Sequence, residues 1–99
     1  MLTVEERRDE PRIRKDDIVR LEWTDASYVT LSCQGQCLDI SRSGMKVAVA
    51  TPLPEKQYVR FEVVGEDLRG SGVVKFSRDE NGQHVAGIRF AWQMRRNAA

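Results

Sequence analysis

The sequence is poor in the residues that most often carry chemistry. It contains two cysteines and one histidine in 99 residues. Because His84 is the lone histidine and no second cysteine pair accompanies Cys33 and Cys37, a zinc site is poorly supported, and no metal site is predicted. The sequence also presents no evident cysteine–histidine or serine–histidine–acid set. We therefore predict that the chain is not an enzyme and has no cofactor.

Long apolar runs and an excess of one charge are also missing. No apolar stretch approaches the ~18–20 residues that span a bilayer, and the charged N-terminus lacks a signal-peptide core. We therefore expect a cytoplasmic protein with reduced thiols and without direct membrane insertion. Lysine and arginine number 16 against 15 aspartate and glutamate residues. This balance makes nucleic acid an unexpected partner and requires any anion site to be local.

What the sequence does contain is a series of short segments with period-two alternation. In the first of them, Val19, Leu21 and Trp23 alternate with polar or charged residues, which is typical of a half-buried strand. The predicted strands cover 18–23, 28–40 with a bulge at 34–36, 45–50, 59–63, 68–76 and 84–90. Asn81-Gly82 predicts a tight hairpin between the last two. Six short strands without a long helix indicate an all-β fold, a six-stranded antiparallel barrel.

The two ends of the chain differ from this pattern. Residues 1–16 are densely charged and have no apolar stripe, so we predict a flexible N-terminal arm. The barrel domain is expected to cover 17–92 and a tail 93–99. Residues 92–96 are interpreted as at most a short C-terminal helical turn.

Two motifs stand out in this sequence. Arg8 and Arg12 form an R-x-x-x-R in the arm, preceded by Arg7, and Asp39-Ile40-Ser41-Arg42-Ser43-Gly44 forms a D-x-S-x-x-G between two strands. A Gly-Ile-x-Phe begins at Gly87 in the last strand. Together, in this order and spacing, they resemble the PilZ domain family over nearly the whole chain. The resemblance implies a barrel whose arginine arm folds over bound cyclic di-GMP, and a receptor that signals to an effector protein.

The resemblance also supplies the candidate ligand-binding residues. The positions that match the family motifs are Arg8, Arg12, Asp39, Ser41 and Gly44. Further candidates are Arg7, which in the family tends to accompany a stacked pair of ligand molecules, together with Arg42 and Gly87. For Arg42 two roles stay open: its side chain reaches the ligand, or it points to water. For Gly87 two roles also stay open: it faces the ligand, or it relieves packing near a bulge.

The chemistry of these residue types suits a guanine dinucleotide. The planar fork of arginine can meet a phosphate, or the O6/N7 edge of guanine, with two parallel hydrogen bonds. The Asp39 carboxylate can accept from N1 and N2 of guanine, and Ser41 can donate to a phosphate or orient the turn. Gly44 is expected to permit close backbone approach and a positive φ. The alternative function is a PilZ-like protein-interaction module that does not bind nucleotide.

Overall fold

In the computed structural model of the protein, residues 13–66 and 68–91 and the backbone of 95–96 are described. The predicted ligand contacts Arg7, Arg8 and Arg12 lie outside these residues. The part of the chain that is described contains seven strands: β1 (Ile18–Thr24), β2 (Thr30–Ile40), β3 (Gly44–Val49), β4 (Tyr58–Val63), β5 (Leu68–Glu80), β6 (Gln83–Phe90) and β7 (Arg95–Arg96). Among the described residues there is no helix long and apolar enough to cross a membrane.

The strands form one antiparallel sheet that closes on itself. Its order is β4-β1-β2-β3-β6-β5-β7, and β5 also pairs with β4, which closes six strands into a barrel. The alternation of β1 identifies the inner face of the barrel, because Val19, Leu21 and Trp23 are at most 3% exposed while Arg20 and Glu22 between them are exposed. The predicted six-stranded antiparallel barrel is confirmed.

The β5–β6 hairpin confirms the predicted turn and corrects the length of the strand before it. Asn81 and Gly82 have φ angles of 54° and 80°, the left-handed geometry that tight hairpins favour. β5 runs to Glu80, beyond the predicted end at Phe76, because the polar residues after Phe76 continue the ladder up to the pair Glu80–Gln83. The hairpin is therefore longer than the apolar alternation alone indicates.

The predicted helical turn at 92–96 is wrong at the two residues of this segment that are described. Arg95 and Arg96 form β7, which pairs with Arg69 and Leu68 of β5. β6 pairs with β5 only from Gly72 onward, so the backbone at Leu68 has an open edge. An extended segment can form hydrogen bonds with this open edge. A helix of five residues forms too few hydrogen bonds to offset the unfavourable free energy of helix nucleation.

The bulge in β2 lies further along the strand than predicted. The register shifts between Cys37 and Asp39, whereas Gly35 sits in a regular ladder between Val19 and Val49. A Cβ at Gly35 would come within 2.9 Å of the Ala48 carbonyl oxygen. The glycine at this position therefore serves close strand approach and does not mark a bulge.

The barrel core also includes a residue that precedes β1. Ile13 is 3% exposed and belongs to the same apolar cluster as Val47, Phe61 and Ile88. Because Ile13 directly follows Arg12, the core fixes the point at which the predicted arm leaves the barrel. Trp23 is also buried, as expected for a core residue.

Candidate ligand-binding site

The D-x-S-x-x-G segment borders a shallow pocket on the outside of the barrel. The pocket has a volume of about 290 Å³ and lies where the β2–β3 turn meets β6 and the middle of β5. Asp39, Ser41, Gly44 and Gly87 all line it, so strand pairing brings the D-x-S-x-x-G segment and the start of the Gly-Ile-x-Phe segment to one place. Arg42 does not line the pocket; its side chain is exposed and makes no ion pair among the described residues.

Ser41 holds the β2–β3 turn together. Its backbone N–H donates to the Gly44 carbonyl oxygen at 2.8 Å, and its hydroxyl donates to the same oxygen at 3.3 Å. The Ser41 Oγ also accepts from the N–H of Ser43 at 3.3 Å. Of the two roles predicted for Ser41, the one that orients the turn is present in the structure.

Asp39 presents its carboxylate to solvent at the rim of the pocket. One oxygen, Oδ1, accepts from the N–H of Ile40 at 2.9 Å, which fixes the direction of the side chain. An ionised carboxylate has about four acceptor sites, so most of its capacity is left for a ligand. Asp39 lies opposite Lys46 in the β2–β3 ladder.

Gly44 is required by the neighbouring strand. A Cβ at this position would collide with the carbonyl oxygen of Ile88, and it would lie 3.2 Å from the Cα of Arg89. The predicted close approach is therefore present, and it is an approach to β6. The predicted positive φ is wrong, since the described glycines with positive φ are Gly65 and Gly82. The extended pairing of Gly44 with Arg89 leaves no turn conformation to adopt.

Gly87 is covered by an aromatic ring. A Cβ at position 87 would collide with the ring of Phe76, which lies opposite it on β5. The register of β5 shifts between Val74 and Phe76, so Gly87 faces an irregular part of the ladder. This arrangement supports the interpretation in which Gly87 relieves packing near a bulge; contact with ligand stays a prediction.

The pocket is also lined by three cationic side chains that the motifs do not predict: Lys46, Lys75 and Arg89. Lys46 Nζ lies 2.7 Å from Glu80 Oε1, and Arg78 Nε lies 2.7 Å from Oε2 of the same carboxylate. These two hydrogen bonds hold the pKa of Glu80 below its ordinary value, and the bond from Lys46 has the larger effect. Strand alternation predicts that Lys46 and Arg89 face outward, but only the register of β3 against β6 places them at the same pocket.

The base of the predicted arm is bound to β2 beside the site. The N–H of Asp16 donates to the Cys37 carbonyl oxygen at 2.7 Å, and the N–H of Cys37 donates to the Asp17 carbonyl oxygen at 2.8 Å. The buried Cys37 thiol donates to the carbonyl oxygen of Asp39 at 3.5 Å, and burial raises its pKa. Residues 16–17 are therefore anchored two residues away from Asp39.

The structure also contains a serine–histidine–acid network, which the sequence analysis missed. Ser77 Oγ lies 2.7 Å from His84 Nε2, and His84 Nδ1 lies 2.9 Å from Asp79 Oδ1. The three residues meet because Asp79 pairs with His84 across the β5–β6 hairpin. None of them lines the pocket at Asp39, and the Asp79 side chain is 83% exposed, unlike the buried acid of a serine hydrolase. We assign the network to stabilisation of the hairpin.

Comparison with known proteins identifies the family. No curated protein matches the chain. Among solved structures, the Bacillus subtilis inhibitor of motility (MotI/DgrA) has a similar fold, with a TM-score of 0.70 and 16% sequence identity. The alignment covers 88% of this chain and 47% of that one, so the chain spans about half the length of that protein. The PilZ domain model matches residues 6–99, and the chain therefore belongs to the PilZ domain family.

Proposed function

We propose that the chain is a receptor for cyclic di-GMP that acts as an adaptor on an effector protein, and that it catalyses no reaction. The PilZ family is one of cyclic di-GMP receptors and adaptors, which supports the proposal. The observation that carries it is the composition of the pocket. An acidic residue and three cations surround one shallow depression, and the base of the arginine arm is anchored beside it.

The position of the arm base allows the arginines of the arm to reach the pocket. Arg12 is four residues from Asp16, a separation of at most about 14 Å for a fully extended chain. Asp16 is itself hydrogen-bonded to Cys37, two residues before Asp39. Both Arg12 and Arg8 are therefore within reach of a ligand that rests on the β2–β3 turn.

The charges of the site match those of the proposed ligand. Cyclic di-GMP carries two phosphates and two guanines, and the pocket offers Lys46, Lys75 and Arg89 to the phosphates. The arm adds the bidentate donors of Arg8 and Arg12, with Arg7 as a further cation. The free acceptor sites of Asp39 suit the N1 and N2 donors of guanine, a donor pair that adenine lacks.

Binding would transmit a signal through the arm. Closure of the arm over the ligand buries part of the pocket and presents a different charged surface beside β2. A segment that becomes ordered upon ligand binding is a common form of switch. The effector protein would distinguish the closed surface from the open one.

Titration calorimetry tests the proposal directly. The wild-type chain should bind cyclic di-GMP and discriminate against GTP and cyclic di-AMP, and the molar ratio reports whether one or two molecules bind. Arg12→Ala should weaken binding by roughly ten- to a hundredfold, the value of one charge-assisted interaction. Arg14→Ala is the matched control: its exposed side chain lies two residues along the same segment and outside the motif.

A second variant tests the guanine contact. Asp39→Asn keeps an oxygen that can accept from Ile40 but removes the negative charge, so the fold should persist while affinity falls by about tenfold or more. Absence of binding by the wild-type chain at tens of micromolar ligand would refute the receptor function. That result would favour the protein-interaction module.

A further inference from the structure

The first half of β2 is an edge strand within the described part of the barrel. Residues Thr30–Gln34 pair with β1, but pairing with β3 begins only at Gly35 opposite Val49. Continuing that register by three residues would bring Pro52 opposite Ser32, and proline has no N–H to give to a ladder. β3 therefore ends at Val49, and one side of Thr30–Gln34 stays unpaired among the described residues.

The alternation of hydrogen bonds shows which backbone groups face the open side. The N–H of Asp25 donates to Val29, and the N–H of Cys37 donates to Asp17, so the odd-numbered residues of β2 bond to β1. In an antiparallel ladder the residues between them direct their N–H and C=O groups the other way. Thr30, Ser32 and Gln34 thus present three donors and three acceptors to the open edge.

This edge lacks the usual protection against pairing. Charged residues make up 31% of the chain, yet residues 26–38 contain none, and they contain no proline. Natural edges are commonly blunted by charges, prolines or bulges. Around this one, Val29 is 50% exposed and Leu31 39% exposed, although Leu31 lies opposite the buried Trp23 on the inner face.

We propose that this edge pairs antiparallel with the same edge of a second copy of the chain, with Ser32 opposite Ser32. Thr30 then lies opposite Gln34 of the other copy, twice by symmetry, and all six outward donors of the two edges find acceptors. Leu31 packs against Cys33 of the other copy on the inner face. Because the edge carries no charge, two identical copies approach without repulsion.

The same register gives a place to an exposed tyrosine. Tyr28, at the tip of the β1–β2 hairpin, is 90% exposed and has a φ of 63°, a conformation unfavourable for a bulky side chain. Tyr28 comes level with Gln36 of the second copy, which borders an outer pocket of about 380 Å³. The residues that line this pocket are all uncharged, and they include the aliphatic Ile18 and Val49 and the amides of Gln34, Gln36 and Gln83. Aliphatic groups suit the ring of a tyrosine, and side-chain amides suit its hydroxyl.

The dimer is independent of the proposed ligand site. Asp39 lies at the far end of β2, beyond its bulge, and Ser41 lies in the turn that follows, so the ligand pocket stays open in the dimer. An interface built on one strand and one ring is small, which predicts a weak dimer that dissociates on dilution. Failure of either proposal therefore leaves the other standing.

Sedimentation equilibrium of the full chain over a range of concentrations tests the register. Thr30→Lys/Gln34→Glu places opposite charges across both symmetric pairs, and Thr30→Lys/Gln34→Lys places like charges there. Because Gln34 also lines the pocket proposed for Tyr28, both variants put a charge beside that pocket and are compared with each other. The first should dimerise on the order of tenfold more tightly than the second. Circular dichroism checks that both variants fold. A wild-type chain that stays monomeric at millimolar concentration, or equal constants for the two variants, would overturn the proposal.

A third variant separates association from folding. Tyr28→Gly removes the ring and also suits the positive φ, so it should raise the free energy of unfolding of the monomer while it weakens the dimer several-fold. Val64→Ser is the control, because Val64 is 49% exposed in the turn after β4, outside the proposed interface, and should leave the dimer unchanged. A dimer unaffected by Tyr28→Gly would contradict the seating of the ring.

Discussion

The ring of Phe76 on β5 occupies the space that a side chain at position 87 on β6 would fill. The guanidinium carbon of Arg78 also lies over this ring, 4.3 Å from its centroid. Phe76 also lines the candidate ligand pocket together with Gly87. The glycine, the ring and the arginine therefore form one packed unit at the wall of the site.

We expect Gly87→Ala to displace the Phe76 ring and to lower the free energy of unfolding by about 1–3 kcal/mol, as overpacking generally does. Urea denaturation measures the loss. The control is a double-mutant cycle with Phe76→Ala, in which the methyl group at 87 should cost much less once the ring is absent. Additive losses in that cycle would show that the two residues are not coupled.

Gly44 and Gly82 are constrained for different reasons. A Cβ at Gly44 would meet the backbone oxygen of Ile88, which cannot move without separating β3 from β6, whereas a Cβ at Gly82 would meet nothing within 4 Å. Gly44→Ala should therefore be the more destabilising change. Gly82→Ala should cost about 1–2 kcal/mol, the cost of its left-handed φ.

Thermal and urea unfolding of both variants checks this order. If Gly82→Ala proved the more harmful, the close approach of β3 and β6 would not be the constraint at position 44. The comparison also matters for the site: loss of ligand binding in Gly44→Ala reports a distorted strand pair, so the variant is unsuitable as evidence for a ligand contact.

The strands and the core were largely predictable, because both depend on local alternation. Val19, Leu21 and Trp23 show a period of two in the sequence and are buried in the structure. The Asp39–Gly44 segment was likewise predictable, since its residues are contiguous and form one turn. Features that depend on residues close together in the sequence can therefore be predicted from the sequence.

The features that escaped prediction depend on register between distant strands. Lys46, Lys75 and Arg89 come together only because β3, β6 and β5 pair in one particular alignment. Ser77 and His84 meet for the same reason, across a hairpin whose ladder extends beyond its apolar residues. The sequence favours a helical turn at the position of strand β7, because the open edge of β5 that this strand joins is not visible in the sequence.

Glu80 should make the stability of the fold sensitive to acid. Its carboxylate accepts from Lys46 and Arg78, which lowers its pKa in the folded state relative to the unfolded chain. A group with a depressed folded pKa stabilises the protein above its unfolded pKa, and this contribution is lost as the pH falls through the folded value. Glu80→Gln should therefore narrow the stability difference between neutral and acid pH.

Urea denaturation of the wild-type chain and Glu80→Gln across this acid range measures the effect. Because the pair is on the surface, added salt should reduce the difference between the two proteins. Glu55→Gln is the control, since Glu55 is exposed and makes no ion pair among the described residues. An unchanged acid dependence in Glu80→Gln would contradict the role of the carboxylate.

Ile13 couples the stability of the barrel to the geometry of the arm. It is 3% exposed in the core and directly follows Arg12, so its burial ties the residue next to the R-x-x-x-R motif to the barrel. Ile13→Ala should lower the free energy of unfolding by about 2–5 kcal/mol and Ile13→Val by about 0.5–1.5 kcal/mol. Leu53→Ala removes an equally buried side chain in the β3–β4 connection. Calorimetry with cyclic di-GMP, under conditions where each variant is folded, should show weaker binding for Ile13→Ala and unchanged binding for Leu53→Ala. Equal affinities of the two variants would show that the packing of Ile13 has no specific role in ligand binding.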